Sequence, residues 1–509
     1  MSGLEQMSAW AFARIRTIFV LGSGSPIWYR FAFSIVAAAG PPLYILASID
    51  RLDLALYTMA GSMQALFGHD RTYRSRAHLH AVLTVGQFAA VLVSLLLSAS
   101  GYSTGLLIVC GAIVVSLQKL FCDAAETGPP AQAVLSFITL GIMFGPTTAP
   151  ADIPRDLALY TGAAVFAAAV CLAPQLWRPV GPETDAVQAA EAACDFGDER
   201  RAVPALNSAW NLLASSGSRS PALLTLVARL RLAEARFAGF DSGALSPVQL
   251  WAELNLRRIQ QGDHPLLHHL RPGSPLWSSA GLCLAGTLVS GLAALAVGVD
   301  RPHWAIIAAC AIYRGNFSTV RQRAVFRSVG TLGGVLLYAA IAPLASLNSF
   351  WLVTLTLLTA FGIEVFVSRN YAVGNVFIAP MALLMTTFAD PQSTGDVIDA
   401  RLADTMIGAL IGVTAALIFT GHRSGNELAV QLSRLRCCTE AAESALADKA
   451  ARADLIALRH RLGTSLVDTE AAASSAAGDR LPPDVSGQEV DAALRRGRAA
   501  LMRTLAFPA

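Results

Sequence analysis

Apolar residues fall into two long blocks, about 27–178 and 275–421, each interrupted at near-regular intervals by short polar or Gly/Pro-containing turns. A helix needs about 20 mostly apolar residues to cross a bilayer. On that measure the first block reads as six spans, at about 28–49, 52–68, 79–100, 102–121, 131–149 and 157–177. The second block gives six more, at about 276–299, 302–314, 325–343, 350–367, 371–389 and 401–420. The second span of each block is short, as expected of a broken or re-entrant helix that neighbouring protein covers. Between and after the blocks lie charged, Ala-rich stretches with apolar residues at helical spacing, for example Leu206–Leu213, Leu223–Phe240 and Val248–Arg258. The C-terminal stretch predicts one long helix at about 426–475 and a shorter one near 487–504.

The blocks share more than hydropathy. Gly68, Arg74, Arg76, Thr84 and Gly86 recur 247 residues later as Gly315, Arg321, Arg323, Thr331 and Gly333. Asp53 and Asp300, and Val82 and Val329, keep the same offset. An internal duplication of a membrane unit follows. The fold class expected is an all-α integral membrane protein with two parallel six-helix transmembrane repeats, each followed by a helical cytoplasmic segment. The divisions are 1–26, an N-terminal amphipathic segment; 27–178, the first repeat; 179–274, a cytoplasmic helical domain; 275–421, the second repeat; and 422–509, a C-terminal cytoplasmic helical domain.

Charge supports that reading and orients it. Only 14% of the residues are charged, against about 25% in soluble domains. The net charge of +3 gives no reason to expect nucleic acid. With the N-terminus inside, the inner loops carry Arg71, Arg74, Arg76, Lys119, Arg178, Arg314, Arg321, Arg323, Arg327, Arg369 and Arg423. The outer loops carry Arg51, Arg155, Arg301 and Arg401, each near an aspartate. The positive-inside rule therefore places both termini and the central segment in the cytoplasm. The eight cysteines form no metal or disulfide pattern, and no catalytic, nucleotide-binding or cofactor constellation is present, so a transporter is expected rather than an enzyme.

The stretch Arg301-Pro302-His303-Trp304-Ala305, then Arg321-Gln322-Arg323-Ala324, then Arg327-Ser328-Val329-Gly330-Thr331-Leu332-Gly333-Gly334 resembles the signature of the fusaric acid resistance and aromatic acid exporter family. Asn370–Asn375 and Arg401–Gly408 resemble the openings of that family's last two spans. The resemblance is good over 275–421 and weaker over 28–178. It implies efflux of aromatic carboxylic acids across the bacterial inner membrane, often with a periplasmic adaptor subunit. Plant aluminium-activated malate transporters are distantly similar in their six-span unit. The partners expected are thus the bilayer, a small organic anion, an adaptor subunit and, if one chain does not enclose the pathway, a second copy in a homo-oligomer. An organic-anion channel and a non-transporting membrane scaffold are the alternatives.

A carboxylate stripped of water needs positive charge or hydrogen-bond donors. The repeated arginines supply both, so Arg74, Arg76, Arg321 and Arg323 are candidates for substrate binding, followed by Arg314 and Arg327. The first block has Phe67 and His80 at the last two places. The plainer reading is that such arginines fix topology and bind lipid phosphates. Trp304, Tyr313, Phe317 and Tyr371 are candidates for stacking on an aromatic substrate, or for anchoring at the bilayer interface. Glu364 and Asp404, ionisable residues within spans, are candidates for proton coupling. Their plainer roles are pairing with Arg369 and Arg401 respectively.

Overall fold

The computed structural model describes residues 26–128, 131–216, 220–239, 247–261, 274–298, 301–312, 317–389, 421–448, 452–477 and 486–506, and every regular element among them is helical. The first block forms α1 (Trp28–Ser48), α2 (Ala55–Ser62), α3 (Tyr73–Ala99), α4 (Thr104–Ala124), α5 (Gln132–Met143) and α6 (Ile153–Leu172). After the central helices α7 (Gly181–Asp195), α8 (Glu199–Ser215), α9 (Pro221–Ala238) and α10 (Pro247–Gln261) comes the second block. Its elements are α11 (Pro275–Val297), α12 (His303–Ile312), α13 (Phe317–Ala345), α14 (Ser349–Phe366) and α15 (Tyr371–Ala389). Helices α16 (Gly421–Ala447), α17 (Arg452–Ala477) and α18 (Gly487–Ala506) end the described chain.

Eight of these helices, α1, α3, α4, α6, α11, α13, α14 and α15, are long and apolar enough to cross a membrane. Their outer faces carry large apolar residues with no protein over them, such as Ile45, Val85 and Leu336, which suits contact with lipid. The chain is a multi-pass membrane protein. Three of the expected spans are shorter than full crossings. Helix α2 has 8 residues and rises about 12 Å, far less than the ~30 Å apolar core. It is flanked by 3-10 turns and enclosed by protein, with Met59, Ala60, Gly61 and Ser62 all buried. Helix α12 is similarly short, and α5 stops at Met143. Such elements persist at membrane depth because neighbouring helices cover them. The first segment and the span at 401–420 lie outside the described residues.

Two boundaries differ informatively from the sequence reading. Helices α3 and α13 begin at Tyr73 and Phe317, earlier than hydropathy alone marks, so the repeated arginines sit in the first turns of spans and not in loops. Arginine stems tolerate this because the methylenes stay in apolar surroundings while the head reaches polar groups. The single helix expected at 426–475 is divided into α16 and α17.

A shift of 247 residues lays α1 on α11, α2 on α12, α3 on α13 and α4 on α14. The packing follows the same correspondence across the blocks. Helix α1 packs on α14 and α11 packs on α4; α2 meets α15 and α12 meets α5. Tyr44 and Thr354 share a 2.9 Å hydroxyl contact between α1 and α14. Small residues permit the tight crossings. A Cβ on Gly61 would fall 2.3 Å from the Tyr160 carbonyl oxygen, and one on Gly291 would fall 2.9 Å from Ile306.

The remaining helices form a separate pair of cores. Trp210, Leu213, Leu226, Leu230 and Leu254 centre the α7–α10 layer, and Leu432, Leu435, Leu462 and Leu466 centre α16–α18. The layers dock through α10 and α17, α9 and α18, and α8 and α17. Asp185 joins the first layer to the membrane block: it accepts from Arg178 at 2.8 Å and pairs with Arg30 at the start of α1.

Candidate anion site

In the second block, α15 begins where Asn370 Oδ1 accepts the backbone N–H groups of Ala372 and Val373 at 2.8 and 3.2 Å, which fixes the entry of the chain into the helix. Tyr371 is the first helical residue and Asn375 lies one turn on, its Nδ2 donating to the Tyr371 carbonyl at 2.6 Å. Helix α13 approaches this end of α15 closely because Gly330 and Gly334 present no side chain. A Cβ on Gly330 would lie 2.4 Å from Asn375 Cβ and 2.5 Å from the Ala372 oxygen, and one on Gly334 would lie 2.7 Å from the Val376 oxygen. Small residues one turn apart are a common device for close helix crossing in membranes.

That crossing brings three of the candidates together. The Arg323 guanidinium lies 5.5 Å from the centroid of the Tyr371 ring, within cation–π range. Arg327, one turn further along α13, lies against the Tyr371 hydroxyl. Arg327 is buried, and its Nε has no hydrogen-bond partner among the described residues. A buried guanidinium N–H without an acceptor is costly, and an anion would satisfy it. The cluster therefore offers a cation, an open donor and an aromatic face in one place.

The first block uses the equivalent residues differently. Arg76 is buried, and it donates to four carbonyls: Gly68 at 2.8 Å from Nε, Cys171 at 2.9 Å from Nη1, and His69 and Arg71 at 3.1 and 3.2 Å from Nη2. It clamps the α2–α3 connection onto the end of α6. Arg71 closes a second connection through the carbonyls of Ala125 and Glu126 at 3.1 and 2.6 Å. Arg74 is exposed. His80, at the position equivalent to Arg327, is buried with neither ring nitrogen hydrogen-bonded among the described residues.

Trp304 does not join the Tyr371 cluster. It is buried in a different core, 5.9 Å from Phe137 and 4.9 Å from His303 between ring centroids. Glu364 is half-buried near the end of α14 and forms no ion pair among the described residues. The partner expected for it, Arg369, instead lies 5.0 Å from the centroid of the Trp28 ring. Tyr313, Arg314 and Asp404 lie outside the described residues, as do the side chains of Phe317 and Arg321. Arg51 and Arg155 are paired as their sequence neighbours imply, Arg51 with Asp53 at 2.9 Å and Arg155 with Asp156 at 2.8 Å.

Sequence reasoning passed over a buried amide network inside the first block. Gln118 Nε2 donates to Gln87 Oε1 at 3.0 Å, and Ser136 and Thr139 donate to Gln118 Oε1 at 3.3 and 3.4 Å. Gln132 reaches the Cys310 carbonyl of the second block at 3.4 Å. Glutamines on the inward face of spans were the available signal. They join α3, α4 and α5 with bonds that hydrocarbon cannot replace.

Residues 288–415 match the family described as fusaric acid resistance protein-like, a stretch that contains Arg323, Arg327, Tyr371 and Asn375. No curated protein and no solved structure matches the chain.

Proposed function

We propose that this protein is an inner-membrane efflux transporter for aromatic carboxylic acids or related organic anions, with Arg323, Arg327 and Tyr371 forming the substrate-binding cluster. The observation that carries the proposal is the open Nε of buried Arg327 beside Tyr371, within the stretch that matches the fusaric acid resistance protein-like family. A carboxylate takes guanidinium N–H donors in paired geometry, and an attached ring stacks on Tyr371. The two blocks act as parallel repeats about an axis along the membrane normal, a reading supported by the exchanged contacts of α1 with α14 and α11 with α4. Both termini face the cytoplasm, in keeping with the arginine distribution.

Export is driven by proton entry, with Glu364 and Asp404 as carriers. Glu364 suits this role because a carboxyl within a span, with no cation paired to it among the described residues, is poised to exchange a proton. The test is reconstitution in liposomes, following p-hydroxybenzoate and fusaric acid with and without a pH gradient, for wild type, Arg323→Ala and Arg327→Gln. Flux that follows the gradient and is lost in both variants supports the proposal. Flux that carries current and ignores pH assigns a channel. No flux of either acid, from folded protein, overturns the assignment of these two substrates and favours a membrane scaffold.

A further inference from the structure

Where the two layers of extramembrane helices dock, the structure buries more positive than negative charge. Arg231 Nη1 pairs with Glu234 at 3.0 Å, and its Nε stands 3.3 Å from Glu253 without hydrogen-bond alignment. Arg257 Nη2 reaches Glu253 at 3.4 Å, and its guanidinium lies 3.9 Å from the centroid of the Trp210 ring. Arg459 crosses from α17 and donates to the Thr504 carbonyl. All five charged side chains are at most 5% exposed. Three guanidinium groups thus share two carboxylates among the described residues. The Nε atoms of Arg257 and Arg459 have no hydrogen-bond partner there.

Both arginines line one cavity of about 30 Å³, together with Asn207, Trp210, Glu234 and His460. Water can fill such a space but cannot neutralise the excess charge. Burial, followed by repulsion from Arg231, lowers the Arg459 pKa to about 10, although Glu234 and Glu253 oppose the shift. His460 adds no further positive charge, since burial and then Arg257 hold it towards the neutral form.

We propose that this cavity is a binding site for a compact monoanion, chloride or a one-carbon carboxylate, held by the Nε groups of Arg257 and Arg459 between the two docked helical layers. The space is too small for an aromatic acid, so the site is distinct from the Tyr371 cluster. The anion completes the charge balance of the interface and thereby couples its own concentration to the docking of α17 and α18 on α8–α10.

The test uses the full chain in detergent, with thermal unfolding followed in sodium gluconate, whose anion does not fit. Sodium chloride, sodium formate and sodium phosphate are titrated at constant ionic strength. Wild type is expected to gain a saturable rise of roughly 2–5 °C with chloride or formate. Whichever of the two saturates at lower concentration identifies the occupant. Arg459→Gln removes the excess charge, so it is expected to keep or raise its unfolding temperature in gluconate and to lose the anion response. A purely structural arginine would lower that temperature equally in every salt.

Gly463→Val adds bulk to the cavity wall while leaving every charged residue in the sequence unchanged. Its Cβ would stand 3.4 Å from Asn207 Oδ1, an acceptable contact. This variant is expected to fold and to ignore chloride and formate even if Arg459→Gln fails to fold. Identical curves in all four salts for wild type, or a Gly463→Val variant that responds like wild type, would overturn the proposal.

Discussion

Alanine at Gly330 tests whether the close approach of α13 and α15 builds the anion site. Its Cβ would sit 2.4 Å from Asn375 Cβ and 2.5 Å from the Ala372 oxygen. Carbon atoms settle at about 3.5–4.0 Å, so the helices must part by about 1 Å or more. The obstruction on the Ala372 side is backbone, which no rotamer change can clear. Overpacking of this kind costs about 1–3 kcal/mol. The same displacement draws Arg327 from Tyr371 and removes a charge-assisted contact worth about 1.5–3 kcal/mol, so binding should weaken by roughly ten- to a hundredfold.

The assay pairs thermal unfolding with the concentration dependence of p-hydroxybenzoate flux in liposomes. Gly281→Ala is the control, because its Cβ would meet nothing within 4 Å on another span of the same block. The expected result is a lower unfolding temperature and a raised half-saturation concentration for Gly330→Ala, with the control unchanged. A Gly330→Ala protein that matches wild type in both would falsify the claim that this crossing sets the geometry of Arg323, Arg327 and Tyr371.

Arg327→Lys should lose most of the affinity that Arg327→Gln loses, because an ammonium keeps the charge but not the planar fork; half-saturation measurements on both variants check this. Arg76→Ala should destabilise the protein by about 3 kcal/mol or more by orphaning buried carbonyls, and Arg76→Lys should rescue it poorly; unfolding temperature is the readout. Glu364→Gln should retain exchange of labelled substrate but lose acceleration by a pH gradient, measured in the same vesicles. Burial, then Arg257 and Arg461, lowers the His460 pKa in the fold, while the unfolded chain takes up a proton near pH 6.5. Its contribution to stability is therefore present above that value and lost as pH falls below it, so unfolding temperature should drop between pH 7 and 5.5 with a smaller slope in His460→Gln.

Much of the fold is legible in the hydropathy because a span must satisfy its own backbone, which forces long apolar helices at α1, α3, α4, α6, α11, α13, α14 and α15. The short elements resist the same reading. Helices α2, α5 and α12 are apolar because protein surrounds them, and composition alone does not distinguish protein from lipid. The starts of α3 and α13 were hidden because arginines lower local hydropathy even where the helix continues through them. The candidate site was legible in part: Arg323, Arg327 and Tyr371 stood out as cations and an aromatic near span ends. Their meeting depended on Gly330 and Gly334, whose role is the absence of a side chain.

The different fates of the repeated arginines follow from what each finds within reach. At Arg76 the turn from Gly68 to Arg71 and the end of α6 present carbonyls to its Nε, Nη1 and Nη2, so the guanidinium is spent on the fold. At Arg323 the neighbours include the Tyr371 ring, which attracts the cation through its face. One turn on, His80 and Arg327 occupy the same place in their blocks, and both keep buried nitrogen atoms without partners among the described residues. An imidazole can shed its charge at neutral pH, whereas a guanidinium cannot. The equivalent position thus holds a neutralisable group in α3 and a permanent cation in α13, so only the second block keeps a fixed positive charge there.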